Sequence, residues 1–299
     1  MTNFLSLRDF ETTELMEILD RGDELREAWR QCRMPRSLEN QRVAIWFFGQ
    51  GFRNRMAFEI GAREMGANVS YVPGELGVNE PLEDIGHYLR NWFTMLVIRA
   101  KKREDLLFLA RSANIPVIDA RTDKSHPCEI MGDLQFIRRH RGSLDGLSVA
   151  FVGEPTNLCM SWLEAATVFP ISVSQICPEG YEVDDDTLSS LSRGSRGEIR
   201  VTNQLSSLNN VDVIYTDCWP KPHDGLSETE IESSFLPYQI DETHLSQLRE
   251  KGLFLPCPPV TRGQEVSEEA MNSPLCMDYQ AKDDLLHIQN AIMEYIIQN

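Results

Sequence analysis

Short apolar runs alternate with amphipathic stretches along this chain, and the alternation sets the architecture. Apolar residues at helical spacing (Phe10, Leu15, Ile18, Leu19, Leu25) predict a helix over 9–29, with Thr12 or Thr13 as its cap. The run 41–48 reads as a buried strand. Gly49, Gln50 and Gly51 break it, a helix follows over 53–65, and 69–72 is the next strand. The rhythm continues with a helix over 81–91, a strand over 95–98, a helix over 104–112 and a strand edge over 115–119. Strands alternating with helices predict a parallel sheet covered on both faces.

A long helix over 128–140 closes this first half. Arg138, Arg139, His140 and Arg141 put positive charge at its C-terminus and Gly142 stops it. The pattern then restarts: a strand over 147–153, a helix over 156–168, and strands over 171–176, 211–215 and 253–256. The polar stretch 191–210 shows little pattern, and a last amphipathic helix is expected over 283–297. The fold class is therefore α/β with two domains, each a parallel sheet flanked by helices. Residues 1–140 with helix 283–299 are expected to form one domain and 141–282 the other.

Composition narrows the function classes. A hydrophobic content of 41% and a charged content of 25% are those of an ordinary globular protein. No apolar run approaches the roughly 20 residues needed to span a bilayer, and residues 1–5 do not open like a signal peptide. The 7 cysteines are odd in number, widely spaced and without a CxxC pair, which predicts reduced thiols in a cytoplasm and no zinc site. A net charge of -17 argues against nucleic acid or an anionic membrane as partner. An anionic small molecule would need local cations, so the arginines of the first half become the candidates.

Three segments carry chemistry. In the first, a strand ends at Phe48, glycines break the chain, and a helix starts with Phe52, Arg53, Asn54 and Arg55. A helix start presents unpaired N–H groups to an anion, and guanidinium forks suit phosphate oxygens. A tight turn with two solvated arginines would show the same residues. In the second, His126 precedes Pro127, Cys128 and Glu129 beyond a strand, where open α/β sheets place ligands. Its imidazole suits a carbonyl oxygen that gains negative charge, although a helix-capping histidine is the plainer reading. In the third, Pro256, Cys257, Pro258 and Pro259 follow a strand, a pattern that usually serves as scaffold.

Taken in order, these segments resemble the aspartate/ornithine carbamoyltransferase superfamily, with its Ser-Thr-Arg-Thr-Arg helix start, His-Pro-Cys-Gln segment and His-Cys-Leu-Pro turn. Phe4 to Phe10, Val97-Ile98-Arg99, Phe151-Val152-Gly153 through Asn157, Asp212 to Trp219 and Leu286-His287 extend the likeness over nearly the whole chain. The resemblance implies attack of an amine on the carbonyl carbon of carbamoyl phosphate, with phosphate leaving. It implies no cofactor or metal, and a homotrimer. By resemblance Arg53 holds phosphate, Arg99 bridges phosphate and carbamoyl oxygen, His126 polarises that oxygen, and Cys257 sits beside the amine. Gly51, Phe52, Asn54, Arg55 and Glu129 fall at donor-binding positions, and Asn157, Asp217, Lys221 and Pro258 at acceptor-binding positions. The C-terminal helix is expected to pack back on the N-terminal domain.

The departures are specific. Gly51, Phe52 and Asn54 replace Ser, Thr and Thr, Glu129 replaces Gln, and Leu285 stands where the family carries Arg. Val78-Asn79 replaces a basic residue, Lys221-Pro222-His223 replaces Ser-Met-Gly, and Pro256 replaces His. A carboxylate about 5 Å from an anion costs about 3 kcal/mol at an effective dielectric of 20. That cost calls for protonation, a pairing arginine or a different ligand. Each lost charge-assisted contact is worth roughly 1.5–3 kcal/mol. The expectation is a divergent carbamoyltransferase whose acceptor is an amine or amino acid other than ornithine. The alternative is a non-catalytic paralogue binding an anionic metabolite or a protein.

Overall fold

The computed structural model describes residues 2–223 and 225–299. The chain divides into two compact units, one reaching to Phe136 and resuming at Lys282, the other running from Ile137 to Ala281. The first contains α1 (Thr12–Arg30), β1 (Arg42–Phe47), α2 (Phe52–Glu64), β2 (Asn68–Pro73), α3 (Leu82–Trp92), β3 (Met95–Arg99), α4 (Arg103–Ser112) and β4 (Val117–Arg121). Helix α5 (Pro127–Arg141) crosses the boundary. The second unit holds β5 (Ser148–Val152), α6 (Asn157–Val168), β6 (Ser172–Ile176), α7 (Asp185–Ser192), β7 (Glu198–Thr202), β8 (Val213–Thr216), α8 (Glu228–Phe235), α9 (Glu242–Leu245), β9 (Leu253–Pro256) and α10 (Glu268–Asn272). Helix α11 (Asp278–Gln298) begins there and returns to the first unit.

The first sheet runs β2-β1-β3-β4 and the second β7-β6-β5-β8-β9, every pairing parallel. Central strands such as Met95–Arg99 and Val213–Thr216 are buried almost throughout, as expected of strands covered on both faces. Ala44, Leu96 and Ile98 pack on Leu106 and Leu109 of α4, while Val152, Ile214 and Phe254 centre the second core. In each sheet two neighbours are not consecutive in sequence, β1 beside β3 and β5 beside β8. The connections leaving such a pair diverge, and the crevice they leave at the strand ends is where open α/β sheets take ligands.

Four expectations on element boundaries change. The N-cap of α1 is Glu11, in a capping box with Glu14, and Thr12 is already helical. Helix α11 starts at Asp278, because its first turn is polar and the apolar stripe begins later. The stretch 191–210 contains β7, an edge strand whose exposed Glu198 and Arg200 mask its alternation. Four short helices, α7 to α10, lie between the strands of the second unit. Helix α11 packs on the first unit through ion pairs of Glu294 with Arg21 and Asp284 with Arg26, and through Tyr295, whose hydroxyl donates to Glu14.

Candidate functional site

The diverging strands of the first sheet place the anion candidates. Beyond β1 the chain turns through Gly49 and Gly51 into α2, and β3 ends on Arg99. The Phe48 N–H donates to the Arg99 carbonyl at 2.9 Å, which ties the two exits together. Gly51 is the N-cap residue of α2 in the left-handed region, φ 49° and ψ 41°. A Cβ there would stand 3.0 Å from Arg99 Nη1 and 2.9 Å from Phe47 Cδ2. Glycine is therefore what lets the Arg99 guanidinium lie against the helix start.

Arg99 is half-buried, and its Nε is shielded without a hydrogen-bond partner. Burial, then the positive charge of Arg121, with Arg53 adding a smaller push against the pull of Glu129, lowers its pKa to about 10. Three guanidinium groups thus share one field at the end of the sheet, an arrangement that an anion relieves. Arg55 lies elsewhere, with its guanidinium 4.3 Å from the centre of the Tyr71 ring. Phe52 is 69% exposed on the first turn of α2.

His126 is buried just before α5. Its loop is held by Ser125, whose hydroxyl donates to Asp119 at 2.5 Å and accepts from Arg103 Nη1 at 2.6 Å. Burial first, then Arg121, Arg99 and Lys282, outweigh the attraction of Glu129 and hold the imidazole down to about 4. At neutral pH it is an uncharged ring, able to donate one N–H to a carbonyl oxygen.

Glu129 does not face the arginines as a bare carboxylate. Its Oε1 accepts from Lys282 Nζ at 2.7 Å and its Oε2 from Asn54 Nδ2 at 2.8 Å, with His126 Nε2 3.9 Å away. Although burial pushes the carboxyl up, Lys282, His126 and the Asn54 bond hold it down to about 2. The expected relief by protonation or a pairing arginine is replaced by a lysine from α11. Asn54 is buried, and its carbonyl accepts from Gln289 Nε2 at 2.7 Å, so its amide serves this network instead of a ligand.

In the second unit the diverging pair β5 and β8 ends at Gly153-Glu154 and Thr216-Asp217. The Thr216 hydroxyl donates to the Val152 carbonyl at 2.9 Å and the Cys257 N–H to the Thr216 carbonyl at 2.8 Å, aligning three strand ends. Asn157 opens α6, whose N-cap Thr156 accepts from the Cys159 N–H, and is buried, as is Cys257. Asp217 Oδ1 accepts from the Cys218 N–H at 2.8 Å. Burial and the nearby Asp217 charge raise both Glu154 and Glu265. These carboxyls form an acidic neighbourhood suited to an ammonium group. Lys221 is exposed and Pro258 half-buried.

Sequence reasoning missed Lys282, Gln289, Arg121, Glu154 and Glu265. Lys282 precedes by one turn the position where the family's arginine is replaced, and a search for a displaced cation on the same helical face would have found it. Arg121 ends a strand that was expected to stop at 119, and Glu154 lay inside a segment read for Asn157.

One unit thus carries an arginine-lined helix start and the other an acidic neighbourhood, each at the end of a parallel sheet. The family comparisons agree. Residues 2–139 match the carbamoyl-P binding domain of aspartate/ornithine carbamoyltransferase and residues 145–296 its Asp/Orn binding domain. An ornithine carbamoyltransferase of Methanobrevibacter smithii is 30% identical, covering 100% of each chain. One of Methanosphaera stadtmanae is 31% identical with the same coverage. The solved ornithine carbamoyltransferase of Pyrococcus furiosus superposes with a TM-score of 0.91 at 26% identity, over 99% of this chain and 97% of that one. The anabolic enzyme of Campylobacter jejuni gives 0.90 at 26%, over 100% of each. The chain belongs to the aspartate/ornithine carbamoyltransferase superfamily. These relatives all carry the ornithine name, which gives the expectation of another acceptor no support.

Proposed function

We propose that this chain transfers a carbamoyl group from carbamoyl phosphate to the uncharged nitrogen of an amino-bearing acceptor. The nitrogen lone pair forms a bond to the carbonyl carbon, the carbon–oxygen bond to phosphate breaks, and the nitrogen sheds one proton. Arg53 and Arg99 hold the phosphoryl oxygens and take up the charge of the leaving phosphate, while neutral His126 donates to the carbonyl oxygen. Asp217, with Glu154 beside it, takes an ammonium group of the acceptor, and Asn157 a carboxylate. Cys257 lies next to the amine. The observation that carries this reading is the arginine cluster around a glycine-opened helix start, with a neutral histidine beside it.

Ornithine satisfies the acidic neighbourhood and is the first acceptor to try. Lys221-Pro222-His223, where the family has Ser-Met-Gly, favours an acceptor of different length or charge. A homotrimer in the cytoplasm completes the proposal, supported by the family resemblance and by seven free thiols.

Titration calorimetry with carbamoyl phosphate, beside amine-dependent phosphate release from it, tests the reading. Binding and turnover are expected, both lost in Arg53→Ala and Arg99→Ala. A second reading, a binding protein without turnover, is favoured by one observation: Gly51 and Phe52 offer no hydroxyl to the donor. Binding without phosphate release for any of ornithine, shorter diamines and neutral amino acids would establish it. Absence of binding would remove both.

A further inference from the structure

We propose that Lys282 is a positioning residue of the anion site, holding Glu129 in an ion pair so that a carboxylate can stand in the wall of a pocket for an anion. The inference rests on the anion-site reading above and deepens it. Lys282 lies in the second turn of α11 and reaches two carboxylates one turn apart on α5, Glu129 Oε1 at 2.7 Å and Asp133 Oδ1 at 2.8 Å. Glu129 in turn holds Asn54 of α2, and Asn54 accepts from Gln289 of α11. The chain Lys282–Glu129–Asn54–Gln289 therefore starts and ends on α11 and ties α5 and α2 to it, directly beneath the helix start that carries Arg53.

The sequence shows how this arrangement replaces the usual one. Where the resemblance leads one to expect a neutral Gln and an Arg, this chain has Glu129 and Leu285, and Leu285 is buried with its Cα where a Cβ on Gly132 would come within 3.3 Å. The cation has moved from 285 to 282, three residues along the same helical face. The carboxylate at 129 and the ammonium at 282 thus belong together: either alone would change the charge of the pocket by one unit.

The groups facing Glu129 are Lys282 and Asn54 on α11 and α2, Asp133, Cys128 and His126 on and before α5, and Arg99 on β3. The Lys282 ammonium touches the carboxylate directly, at 2.7 Å. Without it, burial is the dominant influence on Glu129, so the carboxyl either opposes a bound anion or takes up a proton. Removal of Lys282 therefore brings the titration of Glu129 into a pH range where the wild type keeps this carboxyl ionised.

The test uses the full chain with sulfate as probe, since its charge is constant between about pH 5.5 and 8.5. Lys282→Met is expected to bind sulfate about tenfold more weakly than Glu129→Gln/Lys282→Met at the alkaline end, with the gap closing at the acidic end. Lys282→Arg is expected to remain near wild type. Melting of the same proteins gives a ligand-free readout: Lys282→Met melts below the double variant at high pH and approaches it at low pH. Equal affinity and equal melting of Lys282→Met and the double variant at both ends would overturn the proposal. Failure of the wild type to bind sulfate or carbamoyl phosphate would defeat the anion-site reading, and the melting comparison would still decide whether Lys282 locks Glu129.

Discussion

At Gly51 a left-handed backbone and two close neighbours act against every side chain. The family's serine at this position is not a simple addition here. Its Cβ would press on Arg99 Nη1 and on the fully buried Phe47 ring, and the backbone would carry the left-handed penalty of about 1 kcal/mol. Gly51→Ser is therefore expected to lower unfolding free energy by roughly 1–3 kcal/mol in urea and to weaken carbamoyl phosphate binding, despite the added hydroxyl. A tighter-binding, equally stable Gly51→Ser protein would show that Arg99 is free to move aside. His126 carries a second expectation at this scale. Its imidazole, held near 4 by burial and by surrounding cations, is neutral throughout the neutral range. Its ring resonances are expected to show no titration above about pH 5.5. A His126 transition near neutrality would replace the neutral donor with an imidazolium in the proposed chemistry.

Helices α2 and α11 meet at a seam without room for a methyl group. A Cβ on Gly61 would collide with the carboxamide of Asn290, a fully buried amide whose nitrogen and oxygen both lack hydrogen-bond partners. Gly61→Ala is expected to cost about 1–3 kcal/mol, and Asn290→Ala, which removes the obstacle along with two unsatisfied polar atoms, is expected to rescue it. Additive losses in the double variant would mean that the helices separate instead. The same helix shows what the sequence makes legible. Buried parallel strands such as Val43–Phe47 of β1 announce themselves, because both of their faces must be apolar, and the strand–helix alternation then yields the fold class and the two units. The start of α11 does not announce itself: Asp278, Tyr279 and Gln280 precede the apolar stripe, so Lys282 fell outside the expected helix and its role went unseen. Edge strand β7 was hidden for the complementary reason, since exposed positions carry no hydrophobic signal. Of the site, Arg53, Arg99 and His126 were visible as motif residues, because their types are demanded by anion chemistry. Arg121 and Glu265 come near the candidate site through proximity that only the fold creates, and no spacing in the sequence marks them.

The two units are expected to respond to acid in opposite senses. In the first, His126 has a folded pKa near 4 against 6.5 for the free side chain, so the unfolded chain binds the proton first and stability falls as pH drops from 6.5 towards 4. Glu129, depressed to about 2 from 4.5, extends the loss below pH 4.5. In the second unit Glu154 and Glu265 are raised above 4.5 by burial and by Asp217. The folded form then takes protons first, and acidification from neutral pH relieves a strain. Asp9 of the first unit is also raised, but it is exposed, where solvent screens its share. The net charge of -17 adds a common background, since partial protonation reduces self-repulsion in both units. A comparison between units cancels that background. Hydrogen exchange at about pH 7 and pH 5, corrected for intrinsic rates, is expected to show falling opening free energy for amides of β1, β3 and α5, and steady or rising values for β5 and β8. Replacing His126 with glutamine should flatten the first response and leave the second unchanged, because the glutamine amide has no proton to gain. If β1 and β8 instead lose protection together, the chain opens as one cooperative body, and the acid response belongs to the whole molecule rather than to the histidine of its anion site.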